Sequence, residues 1–449
     1  MIADAGKLVV ANALFFAAGV GVRRIVGSTH GGRTPSGFAL TYLVGLASFG
    51  VLAQLLLVAG LAVSRLQAIC LALVLFSLGF LRRARATGNP VASPVPGGRD
   101  TLLVLLAVAL LVVVGIRSFY EPLESWDAWA FWIPRAKSLV LFNGLDAHYF
   151  AAPTTVNPDY PLLLPAVEAT DFRFMGHFHT QVIHLQFWLV LVAFLGALPA
   201  LLRDQVRPIL VRSLVVVLAC APSLALHAES AYADVPLAVF VALAGVVGWR
   251  WLVLRDPATP GLFVVFAGAA LATKVEGRLF VAALVVSLAA LAARNSVRTT
   301  CEVLAAGVVS ALLGIVPWAI WIRAHGIHGV YHADLAELGR HVHRIAPSLA
   351  SLLGHGFDPL EWLLVLPTGI AAVLLAYRFG AARRTAAFVT ATFLSSISLL
   401  VVTYWATSYP FAWHLQTSAD RVVVAPILLV AVLTPVLLES VLRAGESTR

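Results

Sequence analysis

The sequence predicts an all-α, polytopic α-helical membrane protein with about thirteen transmembrane helices. Of its 449 residues, 60% are hydrophobic and only 12% are charged, whereas roughly a quarter of the residues in an average soluble domain are charged. The apolar runs are about 15–25 residues long, the length that a helix needs to cross the hydrocarbon core. They lack the short alternation of polar and apolar residues that is typical of outer-membrane β-strands. We therefore expect helices to span the bilayer.

The predicted spans follow the apolar windows along the chain. Their approximate bounds are 7–22, 37–63, 66–81, 101–118, 180–202, 209–226, 235–254, 261–275, 278–293, 301–322, 359–377, 385–405 and 422–442. The stronger charges of the N-terminal region, Arg23 and Arg24, follow the first window, and no small-residue cleavage site separates them from it. We therefore expect a retained first helix with its N-terminus outside.

Arginines are concentrated in alternate loops, as the positive-inside rule predicts for cytoplasmic loops. We assign this set and the C-terminus to the cytoplasm: Arg23, Arg24, Arg33, Arg82, Arg83, Arg85, Arg99, Arg203, Arg207, Arg212, Arg250, Arg255, Arg294, Arg298, Arg378, Arg383, Arg384, Arg443 and Arg449. The formal net charge of +9 is spread over these loops, so we expect no nucleic-acid partner. The Ala-, Val-, Leu- and Arg-rich composition indicates a bacterial plasma (inner) membrane.

Most acids occupy the opposite loops, which we assign to the outer, extracytoplasmic face. They are Glu121, Glu124, Asp127, Asp146, Asp159, Glu168, Asp171, Glu229, Asp234, Glu276, Asp334, Glu337, Asp358, Glu361 and Asp420. Because acids contribute little to membrane orientation, their segregation needs another cause. Catalysis or binding at the outer face would supply that cause. The alternative is that the outer loops simply need solvating residues.

Two outer segments, 119–179 and 323–358, are too long to be mere connections. The cytoplasmic links are short, and 86–99 is a Pro/Gly-rich linker. We therefore divide the chain into N-terminal membrane helices with this linker, 1–99, and a membrane domain, 100–449, that carries both outer segments.

The spacing of the histidines in the second outer segment matches no metal-binding motif. These histidines are His325, His328, His332, His341, His343 and His355. The sequence defines no cofactor and leaves open whether a divalent cation, Mg²⁺ or Mn²⁺, assists.

The first outer segment opens with ESWDAWAFWIPRAK, residues 124–137, in which charges stand among three Trp and a Phe. Aromatic residues suit the headgroup region, so we expect an interfacial helix here. On a regular helix Asp127 and Arg135 can share one face. The membrane anchor would then lie on another face, formed by Trp126, Trp129 and Ile133. The alternative is an aromatic belt with ordinary surface charges.

This stretch supplies the first candidate site residues. Asp127, in partly apolar surroundings, would serve as general base or metal ligand, with Glu124 as a second catalytic carboxylate. Arg135 or Lys137 would meet an anion. Further along, Tyr160 in NPDYPLLLPAVEA would line a substrate pocket, although ordinary turn chemistry also explains it.

A second constellation, HAESAYADVPLA, stands at the outer start of a later span. It brings four side chains capable of binding or catalysis within eight positions: His227, Glu229, Tyr232 and Asp234. Asp234 precedes Val235 and Pro236, so it could simply cap the helix. A cap needs neither His227 nor Glu229, which also reach the predicted interface.

Two further stretches place cations at the outer ends of spans. In LATKVEGRLF, Lys274 and Glu276 interrupt two apolar runs, and Lys274 is suited to grip a phosphate. The alternative is an exposed hairpin with its own Lys–Glu pair. In YPFAWHLQTSADRVVVAP, His414 precedes Asp420 and Arg421, and the Arg421 guanidinium can clamp a phosphate or carboxylate. The alternative is an Asp–Arg pair that only caps the last helix.

In their order, these stretches resemble the C-type (GT-C) polytopic membrane glycosyltransferase superfamily, which includes protein O-mannosyltransferases and aminoarabinose transferases. The matching pieces are WDAWAFWIPRAK, AESAYADVPLA, ATKVEG and TSADRVVVAP, within about 100–440. The resemblance implies a large first outer loop with interfacial helices and a polyprenyl-phosphate-linked sugar donor whose lipid tail the membrane core binds. It also implies inverting transfer on the outer face. Asp127 and Asp234 then look like the two acidic positions, and Lys274 and Arg421 like the phosphate-binding positions.

The acceptor would be a glycan, a lipid or a protein. Two other functional hypotheses remain open beside this one. A secondary transporter or flippase of a lipid-linked or polar substrate would place ionisable groups near mid-span, often on discontinuous helices. An O-antigen ligase- or polymerase-like enzyme would use a lipid-linked glycan at an outer loop on a different fold. A purely structural scaffold gives no reason for charged residues at these positions.

Overall fold

A computed structural model describes residues 1–81, 98–294, 296–329 and 338–447 of the chain. These residues form helices and connections, without a β-strand among them. The α-helices are α1 (Ile2–Val26), α2 (Pro35–Val58), α3 (Arg65–Leu81), α4 (Gly98–Tyr120), α5 (Ile133–Leu141), α6 (Ala147–Ala151), α7 (Leu163–Met175), α8 (His184–Leu202), α9 (Pro208–Cys220), α10 (Pro222–Glu229), α11 (Asp234–Trp249), α12 (Thr259–Thr273), α13 (Gly277–Ala293), α14 (Val297–Gly314), α15 (Val316–Ala324), α16 (Ile345–Phe357), α17 (Pro359–Trp362), α18 (Val365–Arg378), α19 (Arg383–Trp405), α20 (Phe411–Val422) and α21 (Val424–Ser447). Two π-helices, Ala128–Trp132 and Arg250–Leu254, and a 3₁₀ turn, Val342–Arg344, complete the fold.

Eight helical segments of the described chain are long and apolar enough to cross a membrane: Ile2–Val26, Pro35–Val58, Asp100–Tyr120, His184–Leu202, Asp234–Leu254, Val297–Gly314, Arg383–Trp405 and Phe411–Glu446. A ninth results if α9 and α10, bent by 59° at their junction, count as one broken span. The chain is therefore a polytopic helical membrane protein.

The predicted number of spans is larger than this count. Helices cover most of each of the thirteen apolar windows, but four of the helices have only 10–17 residues: α3, α12, α13 and α18. A helix of that length rises about 15–26 Å, less than the roughly 30 Å of the hydrocarbon core. Thirteen spans therefore stay a prediction.

The helices place two kinds of polar residues at opposite ends of the bundle. At one end, the acid-rich end, Lys7 Nζ donates to the Met175 carbonyl at 2.9 Å, which joins the N-terminal helix to the predicted first outer segment. At the other, the arginine-rich end, Arg207 meets Glu446 near the C-terminus at 2.7 Å. The two termini thus lie at opposite ends of the bundle. The compartment that each end faces stays a prediction.

The first two helices are part of the main core. Gln54 on α2 donates to the Gly314 carbonyl at 2.6 Å and accepts from the Leu162 amide at 2.7 Å. Asn12 on α1 donates to Gln186 on α8 at 2.8 Å. Phe15 of α1 belongs to the same hydrophobic cluster as residues of α8, α11 and α21. The predicted linker, 86–99, lies almost entirely in the stretch 82–97 outside the described residues, so the proposed domain boundary stays a prediction.

The segment between α4 and α8 contains the first π-helix and α5, α6 and α7. Trp126 and Trp129 pack edge to face at 4.7 Å and are 56% and 45% exposed. Ile133, by contrast, is 1% exposed. The three residues therefore do not form one anchoring face, because the π-helix changes the helical register that would align Ile133 with Trp126 and Trp129. In the second long segment, 330–337 lies outside the described residues and includes the candidate acids Asp334 and Glu337 and the histidine His332.

Helices α1 and α2 cross at two glycines. A methyl group on Gly19 would overlap the Thr41 carbonyl oxygen, and one on Gly45 would overlap the Phe15 carbonyl oxygen. Small residues allow helix backbones in membranes to approach this closely. The crossing fixes α2 beside α1 and, through α2, the packing of α8 and α12.

We predict that Gly19→Ala destabilises the protein by about 1–3 kcal/mol, because the added methyl group forces the two backbones apart. Gly6→Ala, in the same helix, is the matched control, since within the described structure a methyl group there meets nothing within 4 Å. The control should be neutral or stabilising by up to about 1 kcal/mol through helix propensity. Unfolding of both variants in one detergent measures the effect, and equal stabilities would contradict the close crossing.

Candidate functional site

The structure brings the four predicted stretches together at the acid-rich end. Arg421 Nη1 contacts Asp127 Oδ2 at 2.5 Å, across 294 positions of sequence. Lys274 Nζ contacts Asp234 Oδ1 at 2.7 Å and Glu276 Oε1 at 3.2 Å. Electrostatic interactions of Arg421 with Asp234 join the two groups of ion pairs. We call these five residues the ion-pair cluster.

Helix α11 places Asp234 for its contact with Lys274. The helix begins at Asp234 itself, and its N-cap residue, Ala233, makes no side-chain capping bond within the described structure. The Asp234 side chain is 2% exposed and points to Lys274. The capping interpretation of Asp234 is therefore wrong: its carboxylate serves an ion pair between helices.

A break between α12 and α13 places Lys274. The Lys274 backbone is extended, with φ −152° and ψ 155°, so α12 ends there and α13 starts at Gly277. A methyl group on Gly277 would overlap the Ala270 carbonyl oxygen, so the tight turn needs this glycine. Lys274 is 3% exposed. The alternative of an exposed hairpin with a self-contained Lys–Glu pair is therefore wrong, because Lys274 also binds Asp234 of α11.

Helix α20 places Arg421. Its guanidinium carbon lies 4.9 Å from the centre of the Tyr232 ring, and its side chain is 13% exposed. The neighbouring Asp420 carboxylate lies 3.9 Å from His227 Nε2. Both side chains of the Asp–Arg pair therefore contact other elements, and the interpretation as a simple helix cap is wrong.

The cluster contains three carboxylates and two cations, and several polar atoms are left over. Asp234 Oδ2, Glu276 Oε2 and Arg421 Nε are buried without a hydrogen-bond partner among the described residues. Burying a polar atom unpaired costs about 1–3 kcal/mol. The site thus offers both acceptors and a donor to a polar ligand.

Histidines and tyrosines surround the cluster. His227 is 4% exposed, and His414 on α20 interacts electrostatically with Lys274 and Arg421. The ring of Tyr404, on α19, packs against the His414 ring at a tilt of 56° with the centroids 4.9 Å apart, and its hydroxyl shares a 2.8 Å hydrogen bond with Ser418. Sequence reasoning missed both residues: Tyr404 lies outside the four stretches, and Ser418 lies within the last of them but is not ionisable.

Tyr160 packs against the π-helix beside the cluster. Its ring lies edge to face on Phe131 at 5.6 Å. Burial raises the pKa of Tyr160 well above its usual value, and the Glu276 and Asp127 carboxylates raise it further. Its hydroxyl therefore stays protonated and can donate a hydrogen bond near Asp127.

Arg135 serves a different purpose from the predicted one. Its guanidinium is fully buried and donates to the carbonyl oxygens of Val156 at 2.7 Å, of Asn157, and of Tyr160 at 3.4 Å. Burial lowers the pKa of Arg135 to about 10, so it stays charged at neutral pH. Arg135 thus holds the turn that carries Tyr160 and does not join Asp127, because the π-helix between them breaks the regular α-helical register.

Three other candidates also lie away from the cluster. Lys137 Nζ lies 5.6 Å over the Phe178 ring. Glu229 Oε2 pairs with Arg117 Nη2 on α4 at 2.9 Å. Glu124 is exposed just before Asp127.

No group of three or more His, Cys, Asp or Glu side chains that could hold a metal ion occurs in the part of the chain that the structure describes. His332 lies outside that part.

Two acids on α7 are buried beside the site's supporting helices. Glu168 and Asp171 are 0% exposed, and none of their four carboxyl oxygens has a hydrogen-bond partner among the described residues. Burial raises the pKa of both groups well above the usual range, and Asp171 raises that of Glu168 further. Both acids therefore favour their protonated, neutral forms.

We predict that the double variant Glu168→Gln, Asp171→Asn has a flatter dependence of stability on pH. A carboxyl group with a raised folded-state pKa contributes most below its unfolded pKa of about 4, and this contribution falls as pH rises through the folded pKa. Amides of the same shape do not titrate, so the variant should gain stability over the wild type as pH rises from 4 to 8. Unfolding midpoints across that range measure the gain. Exposed Glu124→Gln is the control, and parallel curves for all three proteins would contradict the prediction.

Comparison of the chain with protein-family models, with curated proteins and with solved structures finds no match. Its function must therefore be inferred from the contacts of its own residues.

Proposed function

We propose that the protein is a membrane glycosyltransferase that transfers a sugar from a polyprenyl-phosphate-linked donor to a glycan, lipid or protein acceptor. The observation that carries the proposal is the contact of Asp127 with Arg421 beside that of Asp234 with Lys274. Sugar transfer from a phosphate needs a carboxylate base for the acceptor and cations for the leaving phosphate. The ion-pair cluster supplies both at one end of a bundle of apolar helices.

Asp127 is the proposed general base. Its carboxylate takes the proton of the acceptor hydroxyl while that oxygen attacks the anomeric carbon from the side opposite the phosphate. The bond between the anomeric carbon and the phosphate oxygen breaks, and its electron pair leaves with the polyprenyl phosphate. The configuration at the anomeric carbon is inverted.

Arg421 and Lys274 are the proposed phosphate-binding residues. Both are already paired with carboxylates, at 2.5 Å and 2.7 Å. A donor phosphate would therefore compete with Asp127 for Arg421. The competition would release the Asp127 carboxylate to act as a base only when donor is bound, and Lys274, held by Asp234 and Glu276, would stabilise charge on the leaving phosphate.

The remaining polar side chains would contact the sugar and the acceptor. His227, His414 and Tyr232 border the cluster. The protonated Tyr160 hydroxyl would donate to a sugar oxygen. Exposed Trp126 and Trp129 suit the headgroup region, where the lipid-linked donor would approach. By the positive-inside rule we place the arginine-rich end in the cytoplasm and the acid-rich end on the outer face of a bacterial plasma membrane.

A secondary transporter or flippase is the second candidate, and two observations favour it. Glu168 and Asp171 are buried carboxyl groups without hydrogen-bond partners in the described structure, and α9 and α10 form a broken helix bent by 59°. Buried ionisable groups and discontinuous helices are both frequent along transport pathways. The cluster at the acid-rich end favours the transferase.

We predict that Asp127→Asn lowers sugar transfer by about 10²–10⁴-fold, the usual contribution of a general base, while donor binding persists. Transfer from labelled polyprenyl-phosphate sugars is measured in proteoliposomes at matched expression, with EDTA and with Mg²⁺ or Mn²⁺. Asp146→Asn is the matched control. Asp146 caps α6 through a 2.7 Å bond from the Tyr149 amide, and Asn caps equally well.

Unchanged transfer by Asp127→Asn would remove Asp127 from the mechanism. An absence of transfer by the wild type with every donor tested would favour the transporter instead. Glycan acceptors included in the same assay would reveal a ligase- or polymerase-like activity.

A further inference from the structure

The five side chains of the ion-pair cluster differ in their accessibility. Asp234 and Lys274 are almost fully buried. Glu276, Arg421 and Asp127 are 16%, 13% and 12% exposed, so a ligand that reaches the cluster meets these three side chains first. The proposed function uses Arg421 for the donor phosphate and Asp127 for the acceptor hydroxyl. Glu276 is the accessible member to which it assigns only a contact with Lys274.

The Glu276 carboxylate has one oxygen left to bind a ligand. Its Oε1 lies 3.2 Å from Lys274 Nζ, whereas its Oε2 has no hydrogen-bond partner among the described residues. The backbone of Glu276 is fixed at the start of α13, where its carbonyl accepts from the Leu279 amide at 3.0 Å. A carboxylate oxygen only accepts hydrogen bonds, so a group that binds Oε2 must supply a donor.

Two tyrosines place Glu276 beside the proposed reaction centre. Tyr160 interacts electrostatically with Glu276 and with Asp127, so both carboxylates lie near one tyrosine hydroxyl. Tyr404 interacts electrostatically with Glu276 and with both cations of the cluster. Glu276 therefore borders the space between the proposed base and the proposed phosphate-binding residues. The sugar of a lipid-linked donor would occupy this space.

The cluster carries more negative than positive charge, since it contains three carboxylates and two cations. Two further acids, Asp159 and Asp420, stand beside the residues that border it. Arg135 does not offset them at the site, because its buried guanidinium is bound to three carbonyl oxygens. Arg278 is exposed, and solvent screens its charge. A second negative charge on the donor would therefore meet carboxylates without a free cation of the cluster.

We propose, resting on the proposed function, that Glu276 determines the class of donor sugar: it accepts a hydrogen bond from a sugar hydroxyl and excludes sugars that carry a carboxylate. A neutral hexose supplies the hydroxyl donor that Oε2 lacks. A uronic acid has a carboxylate in place of the terminal CH₂OH group, and two like charges repel strongly in a partly buried site. The donor phosphate already occupies the two cations of the cluster.

The test measures binding of donors to the full-length protein in detergent micelles by native mass spectrometry near neutral pH. The donors are polyprenyl-phosphate sugars in pairs that differ only at the terminal carbon: glucose and glucuronic acid, mannose and mannuronic acid, and galactose and galacturonic acid. Polyprenyl phosphate without a sugar is the reference. The three pairs cover different hydroxyl configurations.

The variants separate the charge of Glu276 from its contact with Lys274. In Glu276→Gln the amide oxygen can still accept from Lys274, but the negative charge is lost. Glu276→Asp keeps the charge. Asp146→Asn is the matched control, since it removes one negative charge from the first long segment outside the cluster and keeps the cap of α6.

We expect at least one neutral donor to bind the wild type more tightly than polyprenyl phosphate does, and at least about tenfold more tightly than its uronic partner. Glu276→Gln should reduce that ratio to less than about threefold, while Glu276→Asp and Asp146→Asn keep it. The ratio of two affinities in one protein does not depend on the folded fraction, so a destabilised variant remains informative.

Equal or tighter binding of the uronic member in every pair would overturn the proposal. So would neutral donors that bind no better than polyprenyl phosphate, an unchanged ratio in Glu276→Gln, or an equal loss in Asp146→Asn. These results would leave the proposed function intact, because the lipid phosphate would still bind. Binding of neither donors nor polyprenyl phosphate would contradict the proposed function and this proposal together.

Discussion

A charge inside an apolar helical bundle must lie next to an opposite charge, and this requirement determines how the helices meet at the acid-rich end. Asp234 and Lys274 have side chains that are only 2% and 4% exposed. Removing such groups from water costs several kcal/mol per ion unless they are paired. The first turn of α11 must therefore stay against the break between α12 and α13. The Asp127–Arg421 contact joins the first long segment to α20 in the same way.

The opposite end of α11 follows the same rule. Every residue of α11 is buried, and Arg250 directly after it binds Asp204 and Asp256. One central helix is thus fixed by ion pairs at both ends, with small and branched apolar residues packed between them. This arrangement positions the ion-pair cluster at one end of α11 and the ion pairs of Arg250 at the other.

Much of this arrangement could be predicted from the sequence. Ionisable residues in apolar surroundings are rare, so the stretches around Asp127, Asp234, Lys274 and Arg421 could be identified. The pattern of arginines indicated the two ends of the helical bundle. The ion-pair partners of these residues could not be predicted. Lys274 contacts Asp234, which is distant in sequence, and only its contact with Glu276 is between near neighbours in sequence. Arg135 was misplaced because a π-helix, which has no clear sequence signal, interrupts the expected α-helical register. Four apolar windows fold as helices of only 10–17 residues, which rise less than the thickness of the hydrocarbon core.

A double-mutant cycle on Asp127 and Arg421 tests the convergence of these distant stretches most directly. The free energy of unfolding is measured in mixed micelles for the wild type, Asp127→Asn, Arg421→Gln and the double variant. If the two side chains form the ion pair, the double variant should be destabilised less than the sum of the single variants, with a coupling energy of about 0.5–3 kcal/mol. Additive effects within the error of measurement would show that the two residues do not meet, and would contradict the cluster on which the proposed function depends.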